Sequence, residues 1–423
     1  MVTYGTIVNG FCKTGNSSTA IRLLRLIEES SCKPNTVLYN MIIDGLCKDR
    51  MMDDALRLFS EMNEKRIDPN VVTYTSLICG LCKFGKWNEA TRMLQEMLDR
   101  DISPNVQTFN VLVDARSKEG LVKEAEGVFE VMIEIGVDPD VVTYNTLMDG
   151  YCFQGQMDEV IRIFNTMVDS GLQPSIFSYN ILISGYCKKM KIDEAMHLFR
   201  EIPRIGLKLD TGTFNTMFQG LFRIGRYAAA RELFNEMQAA DLVPNTQTYG
   251  ILLDGLCKNG LIGEASSLVQ MMERNGLYLD VVMYSILIDA SCKDKKLDTV
   301  RDLFNQLSAK GLCPDVKTYT MIIRGLCEEG RLDEAKELFV IMEQNGCLQN
   351  EVTYNTIIRG FLGQCKCYEA LVLLEEMTGR GFSPDASTSS LIVDLILTKG
   401  QDPGIQELRN KFLPKDGTLN AGV

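Results

Sequence analysis

The sequence predicts an all-α protein of the α-solenoid class, built from helix-turn-helix repeats of 35 residues. Three observations predict it: an aromatic residue recurs every 35 positions, glycine and alanine recur at fixed places between the aromatics, and apolar residues follow helical spacing in each copy. Eleven copies fill residues 1–385 without an insertion or deletion. The aromatic occupies position 4 of every copy: Tyr4, Tyr39, Tyr74, Phe109, Tyr144, Tyr179, Phe214, Tyr249, Tyr284, Tyr319 and Tyr354. One helix pair cannot bury its apolar faces alone, so the copies are expected to stack.

The elements of one copy can be followed in repeat 3, residues 71–105. Its first helix is expected to end near Lys83, with Gly85 supplying the left-handed residue that often follows a helix. A second helix is expected to begin near Asn88 and to end before Pro104, which cannot continue it.

Small residues at fixed positions indicate close contact between neighbouring copies. Glycine at position 10 of the first helix lowers helix propensity by about 1 kcal/mol, and its lack of a side chain lets the next helix approach. Eight of the 14 cysteines recur at position 12, where a small buried residue is expected rather than half of a disulfide. These eight are Cys12, Cys47, Cys82, Cys152, Cys187, Cys257, Cys292 and Cys327.

Nothing in the chain favours metal, cofactor or catalytic chemistry. Cys79 and Cys82 form a CxxC, but no second ligand pair accompanies it, and the one histidine, His197, stands inside a predicted second helix as a surface or packing residue. We therefore expect no bound metal, no cofactor and no enzymatic activity. No apolar run approaches the length of a membrane span.

The charge balance is acidic, with a net charge of −12 and a pI near 4.9. Taken alone, this argues against a nucleic-acid partner. Many acids, however, cluster at the start of the second helices, as Asp53 and Asp54 do, where they complement the helix dipole. Lysines stand instead on the first helices, so the two charges are expected on different faces.

Two positions in every repeat carry small polar residues that vary from copy to copy. Position 5 lies inside the first helix, and position 35 directly precedes the next repeat. Helix capping explains position 35, since Asn, Asp, Ser and Thr favour N-caps. Capping does not explain position 5, because these residues are mildly unfavourable inside a helix. The pattern therefore suggests a second role, recognition of a ligand that changes along the array.

Whole repeats such as residues 141–175, VVTYNTLMDGYCFQGQMDEVIRIFNTMVDSGLQPS, resemble the pentatricopeptide repeat. The resemblance covers residues 1–385; residues 386–413 look like a degenerate twelfth repeat or cap, with Ser389 in place of the aromatic, and residues 414–423 are expected to form a disordered tail. The uniform length resembles the P-class, and the recurring GLCK and DEA segments resemble plant restorer-of-fertility-like members. The resemblance implies a right-handed superhelix, with the first helices lining its concave side.

The resemblance also implies binding of single-stranded RNA, with one nucleotide read by each repeat. Positions 5 and 35 would then read the base. A carboxylate at position 35 can accept the imino N–H of U or G, and an amide or hydroxyl there suits A or C. By the family code, Asn at position 5 favours pyrimidines, and Thr or Ser favours purines. The predicted readers are Asn40, Asn70, Thr75, Asn105, Asn110, Asp140, Asn145, Ser175, Asn180, Asp210, Asn215, Asn245, Asp280, Ser285, Asp315, Thr320, Asn350, Asn355 and Asp385.

Applied from repeat 1 to repeat 11, the code predicts the target (A)CAUCUC(G)GAU. Brackets mark Gly5 and Gly250, which have no side chain to read with. Position 2 would sandwich the bases, through Val2, Val37, Val72, Val142, Phe177, Val282 and Val352. Gln107, Gly212, Gln247 and Lys317 depart from this pattern and put stacking in doubt at repeats 4, 7, 8 and 10.

Position 13 carries a cationic ladder suited to phosphates: Lys13, Lys48, Lys83, Lys118, Lys188, Arg223, Lys258 and Lys293. Surface ion pairs are the alternative, since Asp44, Asp114, Asp254 and Asp289 stand four residues before four of the lysines. Phe153, Glu328 and Gly363 interrupt the ladder, so the last two repeats are expected to bind RNA more loosely.

Together these features predict a monomeric, non-catalytic RNA-binding protein that acts in organellar RNA processing, stability or translation, including fertility restoration. By resemblance the expected compartment is the mitochondrion, with the chloroplast second, although no targeting peptide precedes the first repeat. Other RNA-processing proteins are expected as further partners. The alternative is a protein–protein interaction scaffold, the usual role of other helical solenoids.

Overall fold

The structure is a computed structural model that describes residues 2–30, 34–399 and 406. In these ranges the chain forms helices and no strand, which confirms the all-α solenoid class. It divides into two compact units, Met1–Leu221 and Phe222–Val423. The helices are α1 (Val2–Lys13), α2 (Ser17–Glu29), α3 (Thr36–Lys48), α4 (Met52–Glu64), α5 (Val71–Lys83), α6 (Trp87–Asp99), α7 (Val106–Lys118), α8 (Val122–Glu134), α9 (Val141–Phe153), α10 (Met157–Asp169), α11 (Ile176–Lys188), α12 (Ile192–Glu201), α13 (Thr211–Arg223), α14 (Tyr227–Ala239), α15 (Thr246–Lys258), α16 (Ile262–Arg274), α17 (Val281–Lys293), α18 (Leu297–Ala309), α19 (Val316–Glu328), α20 (Leu332–Gln344), α21 (Glu351–Gly363), α22 (Cys367–Gly379) and α23 (Ala386–Lys399).

Each repeat contributes one odd-numbered first helix and one even-numbered second helix. In repeat 3 the first helix ends at Lys83 as predicted, and the second begins at Trp87, one residue before the predicted start. The second helix of repeat 6 is shorter than its equivalents: α12 ends at Glu201 and continues as a 3₁₀ turn over Ile202–Ile205. Pro203 lies in this turn and has no backbone N–H for an α-helical hydrogen bond.

Two positions of the repeat have a left-handed backbone. Position 15 follows the first helix, and Gly85 there has the predicted positive φ of 68°. The same position is left-handed in Arg50, Met190, Lys295 and Cys365, with φ between 59° and 63°, so the turn is retained where glycine is absent. Position 31 follows the second helix and is also left-handed wherever the structure describes it. A non-glycine residue in this region carries a penalty of about 1–2 kcal/mol.

The aromatic residues at position 4 form the centre of the core. Tyr74 is fully buried, and its ring meets Phe59 of the preceding repeat edge to face, with ring centroids 5.4 Å apart. Equivalent edge-to-face pairs recur along both units at centroid distances of 5.1–6.2 Å. Such pairs stabilise a core by about 0.5–1.5 kcal/mol beyond burial. Tyr4, at the first repeat, is instead exposed.

The glycines at position 10 confirm the predicted close approach between neighbouring first helices. A Cβ built on Gly45 would lie 2.7 Å from the Cys12 sulfur, and one on Gly80 would lie 2.7 Å from the Cys47 sulfur. Burial raises the pKa of Cys47 to about 12, so its thiol stays neutral. The glycine of one repeat therefore accommodates the cysteine of the repeat before it.

The predicted twelfth repeat begins with α23. The remainder of that unit, residues 400–405 and 407–413, and the predicted disordered tail, 414–423, lie outside the described residues. In the described part of the chain, no helix has the length and apolar character of a membrane span.

Candidate functional site

Positions 2, 5, 9 and 13 of the first helices share one surface, which we call the first-helix face. Three pockets of about 250, 250 and 340 Å³ open on it, each lined only by first helices and the residues that cap them. The first pocket includes Lys118, Asn145, Phe153 and Phe177; the second includes Lys258, Val282, Ser285, Lys293, Asp315 and Lys317; the third includes Gly5, Asn35 and Val37. The second pocket therefore contains residues of all four predicted positions, 2, 5, 13 and 35, and each of the other two pockets contains residues of three of them.

Position 35 caps the following first helix in every repeat. The backbone N–H three residues later donates to its side chain; for Asn70 this bond, from Thr73, measures 3.2 Å. The capping role of position 35 is therefore confirmed. The side chains remain partly or largely exposed, which leaves room for a ligand. The caps are Asn35, Asn70, Asn105, Asp140, Ser175, Asp210, Asn245, Asp280, Asp315, Asn350 and Asp385.

Position 5 is more deeply placed, and it bonds to the cap. The Asn40 amide is 7% exposed and donates from Nδ2 to Asn70 Oδ1 at 3.0 Å. Asn110 donates to Asp140 Oδ1 at 3.1 Å in the same way. The interpretation that helix capping leaves position 5 unexplained is thus incomplete: its amide extends the capping network of the next helix. A polar group in this setting is satisfied by structure before any ligand arrives.

A third residue, at position 3 of the next repeat, completes the network. Thr73 Oγ1 donates to Asn40 Oδ1 at 2.6 Å, and Thr143 Oγ1 donates to Asn110 Oδ1 at 2.6 Å. Where position 5 is a hydroxyl, the two oxygens still meet: Thr75 with Thr108 at 2.8 Å, Ser285 with Thr318 at 2.7 Å and Thr320 with Thr353 at 2.9 Å. The sequence interpretation missed this position, although the recurring Thr or Ser could have indicated it.

Repeats 5 to 7 leave part of this network open. The amide oxygens of Asn145, Asn180 and Asn215 are buried and have no hydrogen-bond partner among the described residues. In repeat 5 the hydroxyl of Ser178 lies 3.2 Å from that of its own cap, Ser175. Asn145 is 5% exposed and lines the first pocket, although the unpartnered oxygen itself is buried.

The carboxylates of the caps Asp140 and Asp385 differ in the protein groups that contact them. Burial opposes ionisation of Asp140, but hydrogen bonds from the Thr143 amide and from Asn110 outweigh it and hold the pKa of Asp140 below its usual value. Burial also opposes ionisation of Asp385, whose pKa is lowered by the Thr388 amide and by Arg359. Arg359 pairs directly with Asp385 at 2.6 Å. Both carboxylates are therefore acceptors, but the one in repeat 11 already has a cation.

The residues predicted to sandwich the bases are exposed apolar side chains. Between 52% and 64% of the surface of each is accessible in Val37, Val72, Val142, Phe177, Val282 and Val352. The side chain of Val2 lies outside the described residues. An exposed apolar residue repeated at one register is unusual for a protein surface and indicates a face that contacts a ligand.

The position-13 cations are exposed, as a phosphate contact requires. Lys48, Lys118, Lys258 and Lys293 pair with the acids four residues earlier at N–O distances of 2.5–2.7 Å, so the predicted ion pairs form. For Lys13, Lys83, Lys188 and Arg223, no ion pair is found among the described residues. Phe153 replaces the cation in repeat 5 and is 77% exposed. Among the described residues, the ladder thus contains four cations that are paired with an acid and four that are not.

No group of three or more potential metal ligands occurs among the described residues. The His197 side chain is largely exposed and lies 3.6 Å from Glu201 on the same helix. Its place on the surface agrees with one of the two roles expected for it.

Comparison with known proteins identifies the repeats. Residues 34–83, 69–118, 108–152, 139–188, 174–223, 209–258, 251–293, 279–328, 318–363 and 349–395 match the PPR repeat family, and residues 1–50 match the pentatricopeptide repeat domain. A search of curated proteins finds no match.

Among solved structures, the pentatricopeptide repeat protein PPR10 from maize matches with a TM-score of 0.57 at 22% identity, over 96% of this chain and 68% of the maize chain. PPR10 in complex with an 18-nt psaJ RNA element matches with a TM-score of 0.44 at 21% identity, over 96% and 78% of the two chains. Yeast Rmd9p in complex with 16nt target RNA matches with a TM-score of 0.43 at 10% identity, over 96% and 95%. The first match supports the fold, and the sequence matches span almost the whole array. The chain belongs to the pentatricopeptide repeat family.

Proposed function

We propose that the chain binds single-stranded RNA on its first-helix face, with one nucleotide at each repeat. The observation that carries the proposal is the exposed apolar series at position 2, next to the polar pairs at positions 5 and 35. Bases have apolar faces and polar edges, so a surface that alternates the two at seven of the eleven repeats suits successive nucleotides. Membership of a family whose repeats read one base each supports the same conclusion.

The position-35 caps would supply the base-specific contacts. An ionised Asp140 can accept the imino N–H of U or G, and an amide such as Asn70 can donate to the ring nitrogen of A or C. Position 5 lies deeper and holds the cap side chain in place, so its size would decide between pyrimidine and purine. Applied along the eleven repeats, this code gives the target (A)CAUCUC(G)GAU.

The position-13 cations would contact the phosphates. Lys83 has no ion-pair partner among the described residues, whereas the charge of Lys48 is partly offset by Asp44, 2.5 Å away. Neutralising phosphates releases counterions, so RNA affinity should fall with rising salt. A net acidic chain can bind RNA in this way because the cations and the acids of the second helices occupy different helices.

We further propose a non-catalytic role in an organelle, in the processing, stability or translation of one transcript. The resemblance to P-class, restorer-of-fertility-like plant repeats supports the mitochondrion as the compartment and fertility restoration as one outcome. RNA-processing proteins would be its partners, and the chain would act as a monomer.

The test is equilibrium binding by fluorescence anisotropy. The 11-nucleotide RNA ACAUCUCGGAU should bind more tightly than a permutation of the same composition and than the DNA of the same sequence. Equal affinity for target and permutation would remove the proposed code while leaving RNA binding in place. No binding of either RNA would remove the function.

A protein–protein scaffold is the second candidate, favoured by exposed apolar residues at position 33. Val243, Tyr278 and Leu348 are 66–81% exposed in the loops before successive first helices, where repeats 1 to 6 carry polar or charged residues. Crosslinking in cells followed by sequencing of bound RNA separates the two candidates: a scaffold gives no enriched RNA.

A further inference from the structure

Position 5 of each repeat is matched to position 3 of the next one throughout the chain. Wherever position 5 is polar, the next position 3 is Thr or Ser; wherever position 5 is glycine, the next position 3 is apolar. The polar pairs are Asn40–Thr73, Thr75–Thr108, Asn110–Thr143, Asn145–Ser178, Asn180–Thr213, Asn215–Thr248, Ser285–Thr318, Thr320–Thr353 and Asn355–Thr388; the apolar pairs are Gly5–Leu38 and Gly250–Met283. All eleven pairs obey the rule. In five of the nine polar pairs the position-3 hydroxyl also accepts the backbone N–H of the cap, which by itself favours Thr or Ser there.

Among the described residues, direct hydrogen bonds join five of the nine polar pairs. In repeats 2 and 4 the threonine hydroxyl donates to the amide oxygen of Asn40 and Asn110, and the amide nitrogen donates to the cap. An asparagine amide has an oxygen and an NH2 group of the same size, so only hydrogen bonds distinguish its two orientations. In these two repeats the hydroxyl at position 3 therefore fixes which end of the amide faces the cap. In repeats 5 to 7 the asparagine oxygen has no partner among the described residues, and in repeat 11 it accepts from the Asp385 backbone N–H.

Space filling explains the Gly250–Met283 pair but not the Gly5–Leu38 pair. Met283 is 1% exposed, and its terminal methyl lies 3.8 Å from the Cβ that Gly250 would carry. Leu38 is likewise buried at the equivalent place, and a Cβ on Gly5 would meet nothing within 4 Å. An asparagine at position 250 would place its oxygen against a methionine side chain, which has no hydrogen to donate.

We propose that each base reader of this protein consists of three residues, and that position 3 of the following repeat is its positioning residue. Repeats 1 and 8 then read poorly: they keep the caps Asn35 and Asp280, but Gly5 and Gly250 have no side chain to hold those caps in place. This inference rests on the proposed RNA binding for its consequences in recognition, but its structural half does not. Restoring a reader at repeat 8 requires two substitutions together, Gly250→Asn and Met283→Thr.

The first experiment measures binding of four RNAs that differ only at the eighth nucleotide. The natural chain should bind all four within about two-fold, because Gly250 has no side chain to hold the Asp280 carboxylate in a reading position. Gly250→Asn alone should behave the same. The double variant, with Asp280 as its cap, should prefer U over C by about three- to ten-fold, the worth of one positioned hydrogen bond. A single variant as selective as the double one would overturn the proposal.

The converse experiment removes the hydroxyl from a working reader. Thr143→Val keeps the side-chain shape and should lower the preference for U at the fourth nucleotide by about three- to ten-fold, with the preference at the second nucleotide unchanged. Thr143→Ser retains the hydroxyl and should restore the preference. Loss of selectivity in both variants, or in neither, contradicts a positioning role.

Thermal unfolding without RNA tests the structural half separately. Gly250→Asn should lower Tm, and adding Met283→Thr should recover most of the loss, whereas Met283→Thr by itself should lower Tm. If the natural chain binds no RNA, the proposed function fails, yet this coupling still stands. If RNA binds and the two substitutions act independently in both assays, the three-residue reader fails alone.

Discussion

Repeats 4 and 5 have asparagine at the same position but in different surroundings. Asn110 is bonded at both ends of its amide, to Asp140 and Thr143, whereas the Asn145 oxygen has no partner among the described residues. The repeats also differ at position 2: in the proposed complex, Gln107 and Val142 would flank the base at repeat 4, and Val142 and Phe177 the base at repeat 5. An identical residue at position 5 therefore does not make two repeats equal: repeat 4 is organised in advance, and repeat 5 offers more contact surface.

The largest expected effect is on stacking in repeat 5. Phe177→Ala removes an aromatic that is 56% exposed, and should weaken binding of the target RNA. Aromatic stacking on a base contributes about 1–3 kcal/mol, so the loss should be roughly 5- to 150-fold in Kd. Gln107→Ala is the matched change in repeat 4 and should alter Kd by less than about three-fold, because it removes no stacking. Similar losses in anisotropy titrations of the two variants would erase the proposed contrast.

The second largest expected effect is on the free energy of unfolding, and it distinguishes Asn110 from Asn145. Asn110→Ala removes two hydrogen bonds and should lower the free energy of unfolding by about 1–2 kcal/mol. Asn145→Ala removes an amide whose oxygen is already unsatisfied, and should change it by less than about 0.5 kcal/mol. Urea unfolding followed by circular dichroism measures both. An equal loss would mean that Asn145 has hydrogen bonds that the structure does not show.

A smaller effect concerns the interrupted cation ladder. Phe153→Lys gives repeat 5 the cation that Lys118 provides in repeat 4, and should raise the slope of log K against log salt by about 0.7 in magnitude, one phosphate contact on a single strand. Lys118→Ala should lower the slope by at most the same amount, because its pairing with Asp114 at 2.7 Å already offsets part of its charge. An unchanged slope in both variants would exclude phosphate contact at position 13 in these repeats.

The smallest expected effect lies in the turn between the two helices. Repeats 4 and 5 both have glycine there, Gly120 and Gly155, whereas repeat 6 holds Met190 at a φ of 63°. Met190→Gly should stabilise the chain by about 0.5–1 kcal/mol, the left-handed penalty less the added freedom of glycine when unfolded. Gly155→Ala is the control and should destabilise. A destabilised Met190→Gly variant would show that the methionine side chain contributes packing beyond its backbone strain.

In repeat 3 the end of the first helix and the start of the second could be predicted to within one residue, because local chemistry marks them: Asn70 caps α5 and Gly85 turns the chain. The end of the second helix could be placed only before Pro104; α6 ends at Asp99, ahead of the left-handed Asp101. The exposed series at position 2 was also predictable, since apolar residues there could not be explained by the core spacing. Pro203 lies in the 3₁₀ turn after α12. The sequence alone does not show at which residue the α-helix changes into that turn.

The hydrogen bonds and ion pairs made by the side chains at positions 5 and 35 could not be predicted from residue type alone. The hydroxyl of Thr143 bonds both Asn110 and its cap Asp140, whereas, among the described residues, the hydroxyl of Ser178 bonds only its cap Ser175, although the two residue types are nearly the same. The pairing of Arg359 with Asp385 likewise depends on how two helices approach. Sequence indicates which groups are present, and three-dimensional placement decides which of them are already occupied.

The contact of glycine with cysteine between neighbouring first helices makes the repeats interchangeable. Gly80 meets Cys47 and Met52, and Gly45 meets Cys12 and Ser17, at the same two positions of the preceding repeat. Excising residues 141–175 would bring Gly185 against Ser117 and Val122, which already accept Gly150 in the intact chain, and would place Ser178 opposite Asn110, where Thr143 now lies. Whole repeats can thus be lost or gained without a new type of contact between repeats. Under the proposed RNA binding, every such event would change the length of the recognised sequence by one nucleotide.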